Sequence, residues 1–312
     1  MKLELFDPAL LAYVDEQRAH NVALMEATAA MSSIDSSTIA GIRWIREAMA
    51  PGGLFGLQAY DFPETREIAG VPCRVLTPDV VRGLYLHFHG GAMTVGSAES
   101  MDPRNWDFAR ALDCVVVSVD YRLAPEHPFP AGPDDCEVVA DWIVEYAAEE
   151  FGVDKLLVGG ESAGAYFSLL TMLRLRDRYG VQPPFLGMDL CYGGYDMSAT
   201  PSSRQLIGKV PYANGDGNRI HYLPDRSFEE LRDPAVSPMW AELHDLPPAL
   251  LTVGTADWLI DDNLFMANRL ALAGNHVELA VYPEGCHGIE SVPTAMGKMA
   301  RERIYEFLRG LL

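Results

Sequence analysis

From residue 64 onward the chain alternates short apolar runs with longer stretches of helical period, and this alternation restricts the fold more than any other feature. Runs such as 115–119 (VVVSV) and 156–158 (LLV) are too short for helices. Being apolar at nearly every position rather than at alternate ones, they read as strands buried on both faces. Predicted strands occupy 66–69, 73–76, 84–88, 115–119, 156–158, 185–190, 250–253 and 277–282. Predicted helices occupy 103–112, 134–150, 163–178, 262–273 and 292–311. Strands separated by helices imply right-handed crossover units, hence an α/β fold with a mostly parallel eight-stranded sheet and helices on both faces.

Two regions break the pattern. Residues 8 to about 31 read as a helix with Leu10, Leu11, Val14, Val22 and Met25 as its apolar positions. Ser36, Ser37 and Thr38 predict the cap of a second helix carrying Ile39, Ile42, Ile45 and Met49, which Pro51, Gly52 and Gly53 end. Two helices with no strand between them form an appendage, residues 1–52, ahead of a main domain at 53–312. Residues 193–247 (with VPYANGDGN, YLPDR and DPAVSP) are loop-rich, and such a length inside a compact domain is functional or mobile. The expectation is a cap segment over the carboxyl ends of the strands, meeting the N-terminal helices.

Charge narrows the function classes. Lys and Arg number 24 against 44 Asp and Glu, a net −20. That argues against general nucleic-acid binding, which needs cations to replace phosphate counterions, and against anionic membrane surfaces. No apolar run reaches the roughly 18–20 residues of a membrane span. The opening MKLELFDPALLAYVDEQ has no uninterrupted apolar core of a secretory signal. Cys73, Cys114, Cys136, Cys191 and Cys286 are odd in number and never spaced as C-x-x-C, so reduced thiols in a cytoplasmic protein are expected, not a disulfide framework or zinc knuckle.

The sharpest chemical signal is GESAG at 160–164. It fits G-x-S-x-G, preceded by the strand-like KLLVG and followed by the helical AYFSLLTMLRLRDR. A serine on such a turn is exposed and strained, and the helix N-terminus favours a developing anion. Alone, the pentapeptide is also a Gly-rich turn with an incidental serine; its flanks make Ser162 the candidate nucleophile. Serine needs a base, and in this topology acid and histidine follow it in that order. His287, between the last strand and the last helix, is the candidate base, while its rival His276 enters a strand. Asp257, three residues past Gly254, is the candidate acid; Asp261 and Asp262 are rivals better explained as helix caps. His89, Gly90, Gly91 and Ala92 follow the strand LYLHF, where an oxyanion loop belongs, and their amides could converge with that of Ala163. Cys286 beside His287 is a weaker nucleophile candidate, since no elbow surrounds it.

From about residue 70 onward the chain resembles the hormone-sensitive-lipase family of α/β-hydrolases, bacterial carboxylesterases in particular. The blocks that carry the resemblance are HFHGGAMTVGS, VSVDYRLAPEHPFPA, GESAG, DPAVSP, LPPALLTVGTADWLIDD and GCHG, in that order. The resemblance implies the α/β-hydrolase fold with a helical cap. It implies Ser162 as nucleophile, Asp257 as acid and His287 as base, with oxyanion donors at Gly91, Ala92 and Ala163 and Gly90 in the same loop. Asp120, Arg122 and Glu126 look like scaffold, in the manner of buried charges that pair with one another. The chain departs from the family at Ala92 (usually Gly), Ala165 (Gly), Glu161 (Asp), Trp258 (Pro) and Ile289 (Phe). The Ala92 methyl is expected to narrow the acyl pocket. The implied activity is hydrolysis of small neutral or short- to medium-chain esters through an acyl-enzyme, without metal or cofactor. Lactone, amide or specific acetyl-ester hydrolysis would use the same machinery, and a non-catalytic receptor would be expected to have lost a triad member. The expected partner is a small-molecule ester, with a homodimer left open.

Overall fold

A computed structural model of the chain describes residues 5–28, 34–54, 58–205 and 220–312. Eight strands form one sheet: β1 (Glu64–Ile68), β2 (Val71–Leu76), β3 (Gly83–Phe88), β4 (Cys114–Val119), β5 (Leu156–Glu161), β6 (Gly187–Cys191), β7 (Ala249–Gly254) and β8 (Val277–Tyr282). Their order is β1-β2-β4-β3-β5-β6-β7-β8. β1 and β2 run antiparallel to their neighbours, and every pairing from β4 through β8 is parallel.

Every residue of β3, β4, β5, β6 and β7 is buried, as runs apolar at consecutive positions require. Alternation then sends successive side chains into two separate cores. Leu84, Leu86 and Phe88 join one core with α4 (Ala131–Phe151), α5 (Ala163–Tyr179) and α6 (Ile260–Leu272). Tyr85 and Val116 join the other, with α3 (Asp102–Leu112) and α7 (Ala295–Arg309). Helices therefore cover both faces, and the strand carboxyl ends converge on one edge.

The N-terminal appendage departs from its expected form. Asp7 caps a 3-10 turn at Pro8–Tyr13 by accepting the Ala9 amide, and α1 proper is Val14–Thr28; the rest of the expected helix, to about residue 31, lies outside the described residues from 29 on. Its apolar positions divide: Leu10 is buried and Val14 packs against the same core, but Leu11, Val22 and Met25 are 56%, 56% and 72% exposed, whereas Gln17 is fully buried. The second helix, α2 (Ile39–Met49), follows its pattern: Thr38 caps it by accepting the Gly41 amide, and Ile42 and Ile45 are buried. Arg46 fixes α2 to the body, donating to the carbonyls of Thr94 and Ala124 and pairing with Glu126 at 2.9 Å.

The charges of the YRLAPE block differ from their expected role. Asp120, Arg122 and Glu126 are exposed and take partners outside the block, namely the Ala98 amide, Asp135 and Arg46. The NGDGN turn at 214–218 lies outside the described residues. The described parts of 193–247 are turns and short helical pieces (Pro201–Arg204, Glu230–Arg232 and Pro238–Trp240); His221 Nε2 lies 2.8 Å from the Ser37 carbonyl, just ahead of α2. No helix among the described residues is long and apolar enough to cross a membrane.

Candidate active site

Ser162 sits between β5 and α5 with φ +55 and ψ −112, a region that L-residues avoid. The surroundings force this. A Cβ on Gly164 would lie 1.8 Å from the Phe88 carbonyl oxygen, and one on Gly160 would lie 2.1 Å from the same atom. Only hydrogen at both positions lets the elbow lie against the end of β3. The Ser162 amide donates to the Cys191 carbonyl at 2.9 Å, locking the turn to β6. Ala163 opens α5, so its own N–H has no partner in the helical ladder.

The candidate acid and base arrive from the last two strands. Asp257 follows β7 and is almost fully buried; its Oδ1 accepts the Leu259 amide at 2.8 Å. Its Oδ2 lies 2.9 Å from Nδ1 of His287, in the turn after β8. The Trp258 ring stacks on the imidazole with centroids 4.2 Å apart, and Tyr192 meets it edge-on at 4.7 Å. Trp258, one of the departures from the family pattern, thus covers one face of the histidine.

Ser162 and His287 line one cavity of about 430 Å³, and so do Gly90, Gly91 and Ala92. Ala163 is buried beside Ser162 at the start of α5. The Gly91 carbonyl accepts the amides of Thr94 and Val95, closing the loop on itself. Ala92 lies at φ +50, so its Cβ is held in a left-handed conformation that glycine would adopt freely. Ile45 and Met49 of α2, Thr28 of α1, Val95 and Met101 complete much of an apolar wall.

The rival residues have other work, and not the capping expected of two of them. Asp262 is buried and accepts the amides of Tyr195 and Asp196 and the hydroxyl of Thr200. Asp261 accepts the Ser202 amide. Neither caps α6; both hold the stretch 195–202, which the sequence pattern of a helix start could not disclose. His276 is exposed, beside Glu278. Burial pushes the Cys286 thiol up to about 11, away from nucleophilic thiolate.

One feature below the elbow has no sequence signal. Arg104 of α3 lies 2.5 Å from Glu161, 3.8 Å from Asp189 and 3.9 Å from Glu290. His87 Nε2 approaches Glu161 at 3.0 Å. Burial pushes the Glu161 carboxyl up, but Arg104 and His87 outweigh it and hold the group at about 2. Burial raises Asp189 to about 7, with Arg104 only partly opposing it. The cluster joins residue 161, next to the elbow serine, to residue 290, three past the histidine. Its members, His87 included, come from five separate elements, and only the substitution of Glu161 for the family's Asp hinted at it.

A strained serine turn between strand and helix on a mostly parallel eight-stranded sheet, with a carboxylate after β7 facing a histidine after β8, is the arrangement of an α/β-hydrolase. A family model described as alpha/beta hydrolase fold matches residues 85–291. Carboxylesterase NlhH of Mycobacterium tuberculosis is 34% identical over 230 residues, covering 71% of this chain and 72% of the relative. Carboxylic ester hydrolase LipN of the same organism is 33% identical over 269 residues, covering 82% and 71%. Among solved structures, a hormone-sensitive lipase from a metagenome library matches with TM-score 0.76 at 25% identity, covering 86% of this chain and 91% of that one. A Pyrobaculum calidifontis esterase matches with TM-score 0.75 at 26% identity, covering 86% and 92%. The chain belongs to the α/β-hydrolase family, in its hormone-sensitive-lipase branch of ester-hydrolysing enzymes.

Proposed function

We propose that this enzyme is a serine carboxylesterase in which Ser162 is the nucleophile, His287 the general base and Asp257 the residue that orients it. The observation that carries the reading is the 2.9 Å contact between His287 Nδ1 and Asp257 Oδ2 at a cavity that Ser162 shares. Asp257 accepts the Nδ1 proton, leaving Nε2 as the basic nitrogen, and stabilises the imidazolium that forms. Ser162 Oγ adds to the ester carbonyl as its proton passes to Nε2. The oxyanion is held by backbone amides of Gly91, Ala92 and Ala163, with Gly90 shaping the same loop; one lost donor of this kind costs about 3 kcal/mol. The imidazolium protonates the departing alcohol, and a water activated by His287 then releases the acid.

The cavity walls support small neutral esters of short to medium acyl chain, because the lining among the described residues includes no Lys or Arg to hold an anionic substrate. Residues 1–52 and 193–247 act as the cap: Thr28, Ile45 and Met49 line the cavity, and the His221–Ser37 contact ties the two pieces together. A reducing, cytoplasmic setting is supported by five free thiols, four of them buried.

The test is a series of p-nitrophenyl esters from acetate to decanoate, assayed with the wild type and Ser162→Ala. Loss of turnover in Ser162→Ala to about the uncatalysed rate, or to a residue at least 10³-fold below wild type, is expected. Undiminished turnover in that variant would end the reading.

A further inference from the structure

The helix α1 buries its polar side, and what that side touches is the loop carrying His287. Gln17, fully buried, accepts the Thr294 hydroxyl at 2.8 Å on Oε1. Its Nε2 donates to Asn21 Oδ1 at 2.9 Å and reaches Cys286 Sγ at 3.8 Å. Asn21 donates to the Glu284 carbonyl at 2.9 Å, Arg18 pairs with the Glu284 carboxylate at 2.9 Å, and Glu16 accepts the Ala295 amide at 3.2 Å. These contacts begin at residue 284 and end at residue 295, so they straddle His287.

The opposite side of the loop is held by the acid turn. The Glu284 amide donates to Thr255 Oγ1 at 2.8 Å, and the Ala256 amide donates to the Gly285 carbonyl at 3.0 Å. The segment 284–286 is thus clamped between the turn that carries Asp257 and a helix 260 residues earlier in the chain. Thr294 closes the arrangement: while donating to Gln17 it accepts the Gly297 amide and caps α7. An amide side chain in a fully buried position must find partners or lose stability. Here two of the three partners found, Cys286 and Thr294, lie on one loop, and the third, Asn21, donates to that loop at Glu284, which makes Gln17 a geometric reference for it.

We propose that α1, through Gln17 and Asn21, is a brace that positions His287, so that this N-terminal helix sets the turnover number as well as bounding the substrate chamber. The proposal rests on the reading of His287 as the general base. Gln17 touches no reacting atom and is a positioning residue.

The test compares kcat and KM for p-nitrophenyl butyrate in the full chain. Gln17→Leu should lower kcat by about ten- to a hundredfold, the range expected when a catalytic group is displaced by a fraction of an ångström to one ångström. KM should stay within about twofold, since substrate contacts are untouched. Thr294→Val should repeat the loss from the loop side, and Thr294→Ser, which keeps the hydroxyl, should restore kcat. If Gln17→Leu is not recovered folded, Asn21→Ala removes only the bonds made by a half-buried side chain and is read in the same way. Wild-type kcat in Gln17→Leu, or in Asn21→Ala where that variant stands in, would overturn the brace, even with a lowered melting temperature. A raised KM with unchanged kcat would overturn it too, leaving α1 a wall and nothing more. His287→Ala serves as the separate control: turnover surviving there removes the reading of the base itself, a result distinct from an active Gln17→Leu.

Discussion

The elbow at Ser162 and the first helix solve opposite problems. At the elbow, local sequence and tertiary surroundings agree: small residues at 160, 163 and 164 suit a turn pressed against β3, and the strand and helix on either side have matching periodicities. In α1 they disagree. Its apolar positions Val22 and Met25 lie in solvent and only Val14 at its start meets the core, while Gln17 is at 0% exposure. The elbow is fixed by excluded volume, which any neighbouring backbone imposes. Helix α1 is fixed by hydrogen bonds to the particular groups of one distant loop. A rule that sorts residues by hydrophobicity reads the first region well and misplaces most of the second.

The comparison can be broken by substitution. The largest expected effect is at the acid. Asp257→Asn should lower kcat by roughly 10²–10⁴-fold by favouring the wrong imidazole tautomer. Asp262→Asn should mainly lower the melting temperature, because that carboxylate holds the 195–200 segment and makes no contact with His287. Steady-state kinetics and thermal melting of the pair check this; a crippled Asp262→Asn beside an active Asp257→Asn would reverse the assignment.

Next comes the elbow's packing. Gly164→Ala places a methyl where the Phe88 carbonyl stands, and should destabilise the fold by roughly 1–3 kcal/mol or more, read from urea unfolding midpoints. Met25→Ser on α1 should change stability by no more than about 0.5 kcal/mol in the same assay, since the side chain is 72% exposed. A large loss there would mean that α1 packs by its apolar positions after all.

A smaller effect is expected from pH. Asp189 is raised by burial from the ordinary 3.8 to about 7. Across that window the folded protein keeps a proton that the unfolded chain releases, so stability is fully present below the window and falls as pH rises through it. Asp189→Asn should flatten part of the decline in melting temperature between about pH 5 and about pH 8. Asp262, also raised to about 7 by burial, and Glu290, raised by burial too, keep a decline of the same sign. The smallest change should be Ala92→Gly. It relieves the left-handed φ of +50, worth about 1–2 kcal/mol, but loosens the unfolded chain by about 0.4–1 kcal/mol. A slightly higher melting temperature with near-wild-type turnover is expected.

Much of the fold was legible because its determinants are periodic. All eight strands were legible, most of them as runs of apolar residues, with boundaries that move by at most a few residues, as at Leu156–Glu161 and Gly187–Cys191. Ser162, Asp257 and His287 stood out as candidates because each follows a recognisable strand at a short, fixed distance, and in the structure Asp257 and His287 lie 2.9 Å apart. Other features were illegible because their members have no common pattern. Arg104, Glu161, Asp189 and Glu290 are scattered over nearly two hundred residues and meet only where α3 crosses the sheet ends. Asp261 and Asp262 looked like helix caps because they open α6. Their partners, 195, 196, 200 and 202, lie in a segment whose path no local rule specifies.

By itself, then, the sequence determined the sheet, its two helical layers and the places along the chain where chemistry could sit, because apolar burial repeats with the period of strand and helix and acts on every such segment alike. Only the tertiary structure decided which polar side chains face one another: that Gln17 meets Thr294, that Trp258 lies on His287, that Arg104 lies among three carboxylates. Such partnerships are directional and pairwise. They depend on where two distant stretches of backbone end up to within about an ångström, and hydrogen-bond strength falls steeply outside that tolerance.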